Sequence, residues 1–134
     1  MKDITIEMLK IYKPFSSLDW LNYAIKRKKS LTFHHIVKAQ HNGKEEINNG
    51  ALLIPLSHSY LHLIECKDIK TYIALNNMFR IINAQREEPT TEQREIIEYL
   101  LRQFESRHSE DRNKKHRKII KPEYLNRSFV GSIE

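Results

Sequence analysis

LTFHHIVKAQHNGKEEINNGALLIPLSHSYLHLIE, residues 31–65, holds five of the chain's seven histidines. Four of them form two ordered pairs: His34 beside His35, and His58 four residues before His62. Adjacent residues on a strand point to opposite faces, so the first pair cannot both grip one ion in the ordinary way. Residues four apart on a helix lie on one face, so the second pair can. The pattern asks for a division of labour, with three imidazoles on a metal and one left free.

Local chemistry gives this stretch its frame. Leu31 to Val37 is β-branched and aromatic enough for a strand. Asn42-Gly43 signals a turn inside the polar stretch 38–49, which reads as a long loop. A second strand covers Ala51 to Ile54, and Pro55 ends it. Ser57 is a good cap for a helix beginning near His58. The order strand, loop, strand, helix is a ββα unit.

Outward from it, helical periodicity dominates. Residues 3–12 read as a short helix with Ile4, Ile6, Met8, Leu9 and Tyr12 as its apolar set, stopped by Pro14. Ser16 or Ser17 caps an expected second helix through about Lys28, with Trp20 and Tyr23 read as packing residues. On the other side, Asp68 caps a helix through about Arg86 whose apolar set is Ile69, Tyr72, Ile73, Leu75, Met78, Phe79 and Ile82. Thr90 with Gln93 forms a capping box for a last helix, with Ile96, Ile97, Leu100, Leu101 and Phe104 as its buried stripe. After about His108 apolar periodicity is lost. The expected fold is α+β and mostly helical, a ββα-metal motif of two short antiparallel strands plus a helix embedded between N-terminal and C-terminal helices. Residues 1–108 form a single domain with the ββα core at 31–66, and 109–134 form a basic, flexible tail.

Composition narrows the function classes. At 134 residues the chain can bury roughly two thirds of its unfolded surface without disulfide staples. Its one cysteine, Cys66, permits no intrachain disulfide and no Cys-x-x-Cys zinc knuckle, so a reducing cytoplasm is the expected location. No apolar run approaches the roughly 18–20 residues of a membrane span, so no membrane partner is expected. Net charge is +6 and the pI about 9.4, a balance that favours polyanions through counterion release. The basic residues cluster as Lys26, Arg27, Lys28 and Lys29 directly before the histidine stretch, and as Lys114, Lys115, Arg117 and Lys118 in the tail. Nucleic acid is the expected partner.

The ordered set His34-His35-Ile36, Asn49, His58 nine residues on and His62 four after that resembles the His-Asn-His (HNH) endonuclease family. In that family an Asp/His-His-Ile run is followed by a loop, Asn-x-x-x-Leu, and a helix bearing His-x-x-x-His. Leu53 stands at the matching offset from Asn49, and the likeness covers about residues 31–65. The resemblance implies a metal-dependent nuclease, with DNA as the expected substrate. It implies that His34, His58 and His62 hold one divalent ion, that His35 is the general base for the attacking water, and that Asn49 braces the loop so that the His35 ring is held in line. Asn48 competes for that last role, but its spacing to His58 fits less well. Glu65 could support an imidazole from outside the ligand set.

The chemistry suits those roles. Phosphodiester hydrolysis needs a nucleophile at neutral pH and stabilisation of charge on the phosphoryl oxygens. An imidazole near pKa 6.5 suits the first need, and a divalent cation the second. Three neutral imidazoles favour Zn²⁺, Ni²⁺ or Mn²⁺, while Mg²⁺ is also known in the family. Three features depart from the family pattern: no proline follows His-His-Ile, Gly50 stands where Leu or Ile is common, and the paired-cysteine zinc staple is absent. The competing expectation is a non-catalytic nucleic-acid-binding module in which the ββα metal site is structural.

Overall fold

A computed structural model describes residues 1–12 and 17–108. The elements run α1 (Asp3–Ile11), β1 (Thr32–His35), β2 (Gly50–Leu53), α2 (Pro55–Lys67), α3 (Ile69–Gln85) and α4 (Thr91–Arg107). The fold is mostly helical α+β, built on one antiparallel strand pair. Its register sets Thr32 against Leu53, Phe33 against Leu52, His34 against Ala51, and His35 against Gly50. The core draws on all four helices, on β2 and on the segment 17–24: Met8, Tyr12, Trp20, Leu52, Leu53, Leu61, Ile64, Leu75, Phe79, Ile82, Ile97 and Leu101 are all fully buried. Burial of that many large side chains, at about 1.5–3 kcal/mol each, is the main force holding the helices on the sheet.

The helical caps on the C-terminal side form as the sequence asks. Asp68 Oδ1 accepts from the Thr71 N–H at 3.2 Å and starts α3. Its other oxygen takes the Arg107 guanidinium at 2.8 Å, tying the start of α3 to the end of α4. Burial pushes the Asp68 carboxyl up, but Arg107 and the Thr71 donors outweigh it and hold the pKa at about 2. Thr90 and Gln93 form the expected capping box of α4.

The expected helix through 17–28 does not form. Asp19 is buried instead, and its carboxylate accepts the N–H groups of Leu21, Tyr23 and Ile54, each at 2.9 Å. A side chain that satisfies its neighbours' N–H groups replaces the helical ladder. Asn22 takes a left-handed φ of 68°, and Leu18 pairs with Ala24 as an isolated bridge. Arg94 of α4 then locks the turn, donating to the Asp19 carbonyl and the Asn22 side chain, both at 2.9 Å. Tertiary contacts override helical propensity here. Trp20 and Tyr23 are fully buried, and Trp20 packs edge-on against Tyr12 with ring centres 5.2 Å apart.

Other departures are smaller. α2 starts at Pro55, with Pro at its first turn, so Ser57 lies buried inside the helix rather than capping it. Ile6, Ile69, Ile73 and Ile96, expected on buried stripes, are 41%, 53%, 52% and 47% exposed. The polar loop carries two short 3₁₀ turns, Ala39–His41 and Ile47–Asn49. Asn42 adopts φ 69° and Gly43 follows, where a Cβ would stand 1.7 Å from the Val37 carbonyl oxygen. Only glycine fits that crossing. The expected stop at Pro14, the alternative cap Ser16 and the tail 109–134 lie outside the described residues. No helix among the described residues is long and apolar enough to cross a membrane.

Candidate metal and catalytic site

Strand alternation separates the first histidine pair as their adjacency requires. Thr32 and His34 share the face of β1 turned toward α2 and α3, while Phe33 and His35 share the other, their ring centres 4.9 Å apart and edge-on. His34 is 2% exposed and sits among His58, Tyr72 and Phe79. His58 projects from the second turn of α2 with its ring centre 5.5 Å from that of His34. His62, one turn on and exposed, stacks on His58 at 5.0 Å. The three imidazoles expected to share a metal are therefore neighbours.

Each ring has a partner that decides which nitrogen is available. The Thr32 hydroxyl lies 2.7 Å from the Leu53 carbonyl and 3.0 Å from His58 Nδ1. A carbonyl only accepts, so the hydroxyl donates to Leu53 and accepts from Nδ1–H, leaving His58 Nε2 as a lone-pair donor. His34 Nε2 lies 2.9 Å from Asn76 Oδ1, which also only accepts, so the free lone pair of His34 is on Nδ1. Glu65 sits 3.5 Å from His62 Nδ1 and pairs with Lys38 through its other oxygen. Such outer partners are what hold metal-ligating histidines in one tautomer.

Electrostatics keep two of the rings neutral. Burial lowers the His34 pKa to about 4; the Asn76 bond raises it, and the neighbouring His58, His62 and His35 add to the lowering. Burial also lowers His58, with His62, His35 and the Lys2 ammonium acting in the same direction. His35, on the opposite strand face, is thus within electrostatic reach of His58.

The donor chemistry fits a late first-row divalent ion, being neutral imidazoles with defined lone pairs. The ring orientations are less complete. His34 stands at 89° to His58, and His62 lies nearly parallel to it at 18°. Among the described residues no three His, Cys, Asp or Glu side chains converge as a metal-binding group. His62, exposed at the surface, is the ring with room to turn.

Asn49 makes the contacts expected of a loop brace. Its Oδ1 accepts from the Val37 N–H at 2.7 Å, and its Nδ2 donates to the carbonyls of Val37 and Lys44, both at 2.9 Å. Its own carbonyl accepts from the Ile36 N–H at 2.9 Å, directly beyond the His35–Gly50 pair. Asn48 turns away to the Arg86 guanidinium. Asn83 of α3 supports the brace from beneath, donating to the carbonyls of Ile47 and Gly50.

The basic residues Lys26, Arg27, Lys28 and Lys29 are exposed and lead into β1, at the end of the strand away from His35. Lys114, Lys115, Arg117 and Lys118 lie outside the described residues. Sequence reasoning missed Thr32, Asn76 and Asn83. Thr32 shares the strand period of His34, and the two asparagines interrupt the apolar face of α3, which is the signal that could have found them. No protein-family model, curated protein or solved structure matches the chain.

Proposed function

We propose that the chain is a metal-dependent endonuclease of the His-Asn-His type that hydrolyses phosphodiester bonds of nucleic acid, with DNA as its substrate. The observation that carries this reading is the Asn49 brace: it bonds both sides of the residue pair that follows His35, on a ββα unit whose opposite strand face holds His34 next to His58 and His62. In this reading His34 Nδ1, His58 Nε2 and the His62 ring hold one divalent cation. The cation supplies charge stabilisation for the phosphoryl oxygens. His35 accepts the proton of the attacking water, and Asn49 limits the freedom of the strand end that carries it. Incubation of supercoiled plasmid with Mg²⁺, Mn²⁺, Ni²⁺ or Zn²⁺ tests the proposal. Nicking with at least one ion and none in EDTA is expected; intact plasmid under every condition contradicts it.

The second reading, a binding module with a structural metal, draws on the incomplete convergence of the rings. It requires metal removal to unfold the domain. The continuous apolar core, reaching from Met8 in α1 to Phe104 in α4, favours a fold that survives chelation. Unfolding by EDTA together with salt-sensitive, non-cleaving DNA binding would move the assignment to this reading.

A further inference from the structure

A cleft of about 440 Å³ opens between the segment after β1 and the middle of α3, within the roughly 300–1,000 Å³ typical of ligand sites. Lys38 and His41 line one side; Tyr72, Ile73, Asn76 and Arg80 line the other. Asn76 joins it to the histidine cluster, because the same side chain bonds His34 Nε2 at 2.9 Å. We infer that this cleft is a nucleotide subsite that takes one nucleotide of the substrate strand beside the bond to be cut; this rests on the endonuclease reading above.

Three observations point to a nucleotide. The first is charge. Arg80 donates to the neutral Asn77 side chain at 2.9 Å and meets no carboxylate among the described residues, so its charge is available to a phosphate. The acid on the cleft, Glu65, is already committed to Lys38 and faces His62. The second is an orphaned donor. Tyr72 is 6% exposed, yet its hydroxyl is buried without a hydrogen-bond partner among the described residues. A buried hydroxyl left unpaired is unfavourable, and a small shift of the Tyr72 side chain toward the cleft would let a phosphate or base oxygen satisfy it. The third is apolar wall. Ile73 and Val37 flank the cleft with 52% and 39% of their surfaces exposed, and they offer a base a surface to pack on. A cation, a hydroxyl and an apolar wall in one cleft match the phosphate, oxygen and ring of a nucleotide unit.

The test is fluorescence anisotropy of a short fluorescein-labelled DNA single strand and its duplex, with the full chain in EDTA so that binding is read without cleavage. Arg80→Ala and Tyr72→Phe are each expected to weaken binding of at least one of these DNAs about fivefold, the worth of one hydrogen bond. Tyr72→Phe is expected to melt no lower than wild type, since the hydroxyl it removes has no partner among the described residues. Arg102→Ala on α4, outside the cleft, is expected to stay within twofold. Binding by both cleft variants within twofold of wild type, or no binding by the wild type, overturns the subsite. If the variants weaken binding but no metal supports cleavage, the subsite stands and the endonuclease reading fails. If metal-dependent cleavage occurs and the variants bind and cleave normally, the reverse holds.

Discussion

The Thr32 hydroxyl and His58 Nδ1 lie 3.0 Å apart, and the Leu53 carbonyl 2.7 Å from the same hydroxyl fixes the direction of that bond. One strand residue therefore decides which nitrogen of a helix residue is free. Thr32→Val keeps the shape and removes the hydroxyl. The expected result is a 10–100-fold loss of Zn²⁺ or Ni²⁺ affinity, measured by calorimetry, as is usual when an outer partner of a ligand is lost. The fold should lose only about 1 kcal/mol, because one partly buried hydrogen bond network is removed. Unchanged affinity would mean that Thr32 does not orient His58 for a metal.

Asn49 closes the loop through three side-chain hydrogen bonds of 2.7–2.9 Å. Asn49→Ala removes all three, and a loss of about 1–3 kcal/mol in urea unfolding is expected. Hydrogen exchange should quicken at the Val37 amide, the one the side chain accepts from, while the α4 amides keep their protection. Uniform destabilisation without local loosening would count against a bracing role.

Gly50 faces His35 across the strand pair. A Cβ at this position would stand 2.6 Å from the Phe33 ring and 3.0 Å from Met8 Sδ. Phe33 is buried and in turn carries the His35 ring edge-on at 4.9 Å. Gly50→Ala is expected to cost about 1–3 kcal/mol by overpacking and to shift the His35 ring resonances in NMR spectra. A side chain as large as Leu or Ile at this place is thus incompatible with Phe33 as it packs here. A variant as stable as wild type, with unmoved His35 resonances, contradicts the packing account.

His34 gives the metal-free protein a defined pH dependence. Its folded pKa of about 4 lies below the ordinary 6.5, so between those values the unfolded chain binds the proton that the folded one refuses. Stability is whole above about pH 6.5 and falls as pH drops toward 4, by about 3 kcal/mol from this group. His34→Gln retains an amide donor for Asn76 and cannot titrate. The difference between the two urea-midpoint curves in EDTA should therefore be constant above about pH 6.5 and shift in favour of the variant as pH falls below it; curves parallel over the whole range would contradict a buried neutral His34.

Much of this arrangement is legible in the sequence. The ββα unit and the separation of His34 from His35 follow from strand period and turn chemistry, which are local, whereas the Asn49 brace is expected only from the resemblance of the ordered His and Asn set to the His-Asn-His pattern. The caps at Asp68 and Thr90 are local too, and both form. The turn at 18–24 is not legible, because its local bonds from Asp19 to Leu21 and Tyr23 are fixed by distant ones: Asp19 also bonds Ile54, and Arg94, some 75 positions on, clamps the Asp19 carbonyl. The partners of the histidine rings divide the same way. Thr32 is two residues from His34 and readable from the strand period, whereas Asn76 reaches His34 only because α3 packs under the sheet. The cleft depends on the same packing, which leaves Ile73 at its rim and out of the core.

Plasmid cleavage by His35→Ala beside wild type, with metal content of both proteins determined, tests the central claim most directly. The account predicts that both proteins hold the same amount of metal, since His35 is on the strand face opposite His34, and that wild type nicks the plasmid while the variant loses at least about 100-fold in rate, the usual contribution of a general base. Equal cleavage by the two proteins, or no cleavage by metal-loaded wild type, would contradict it.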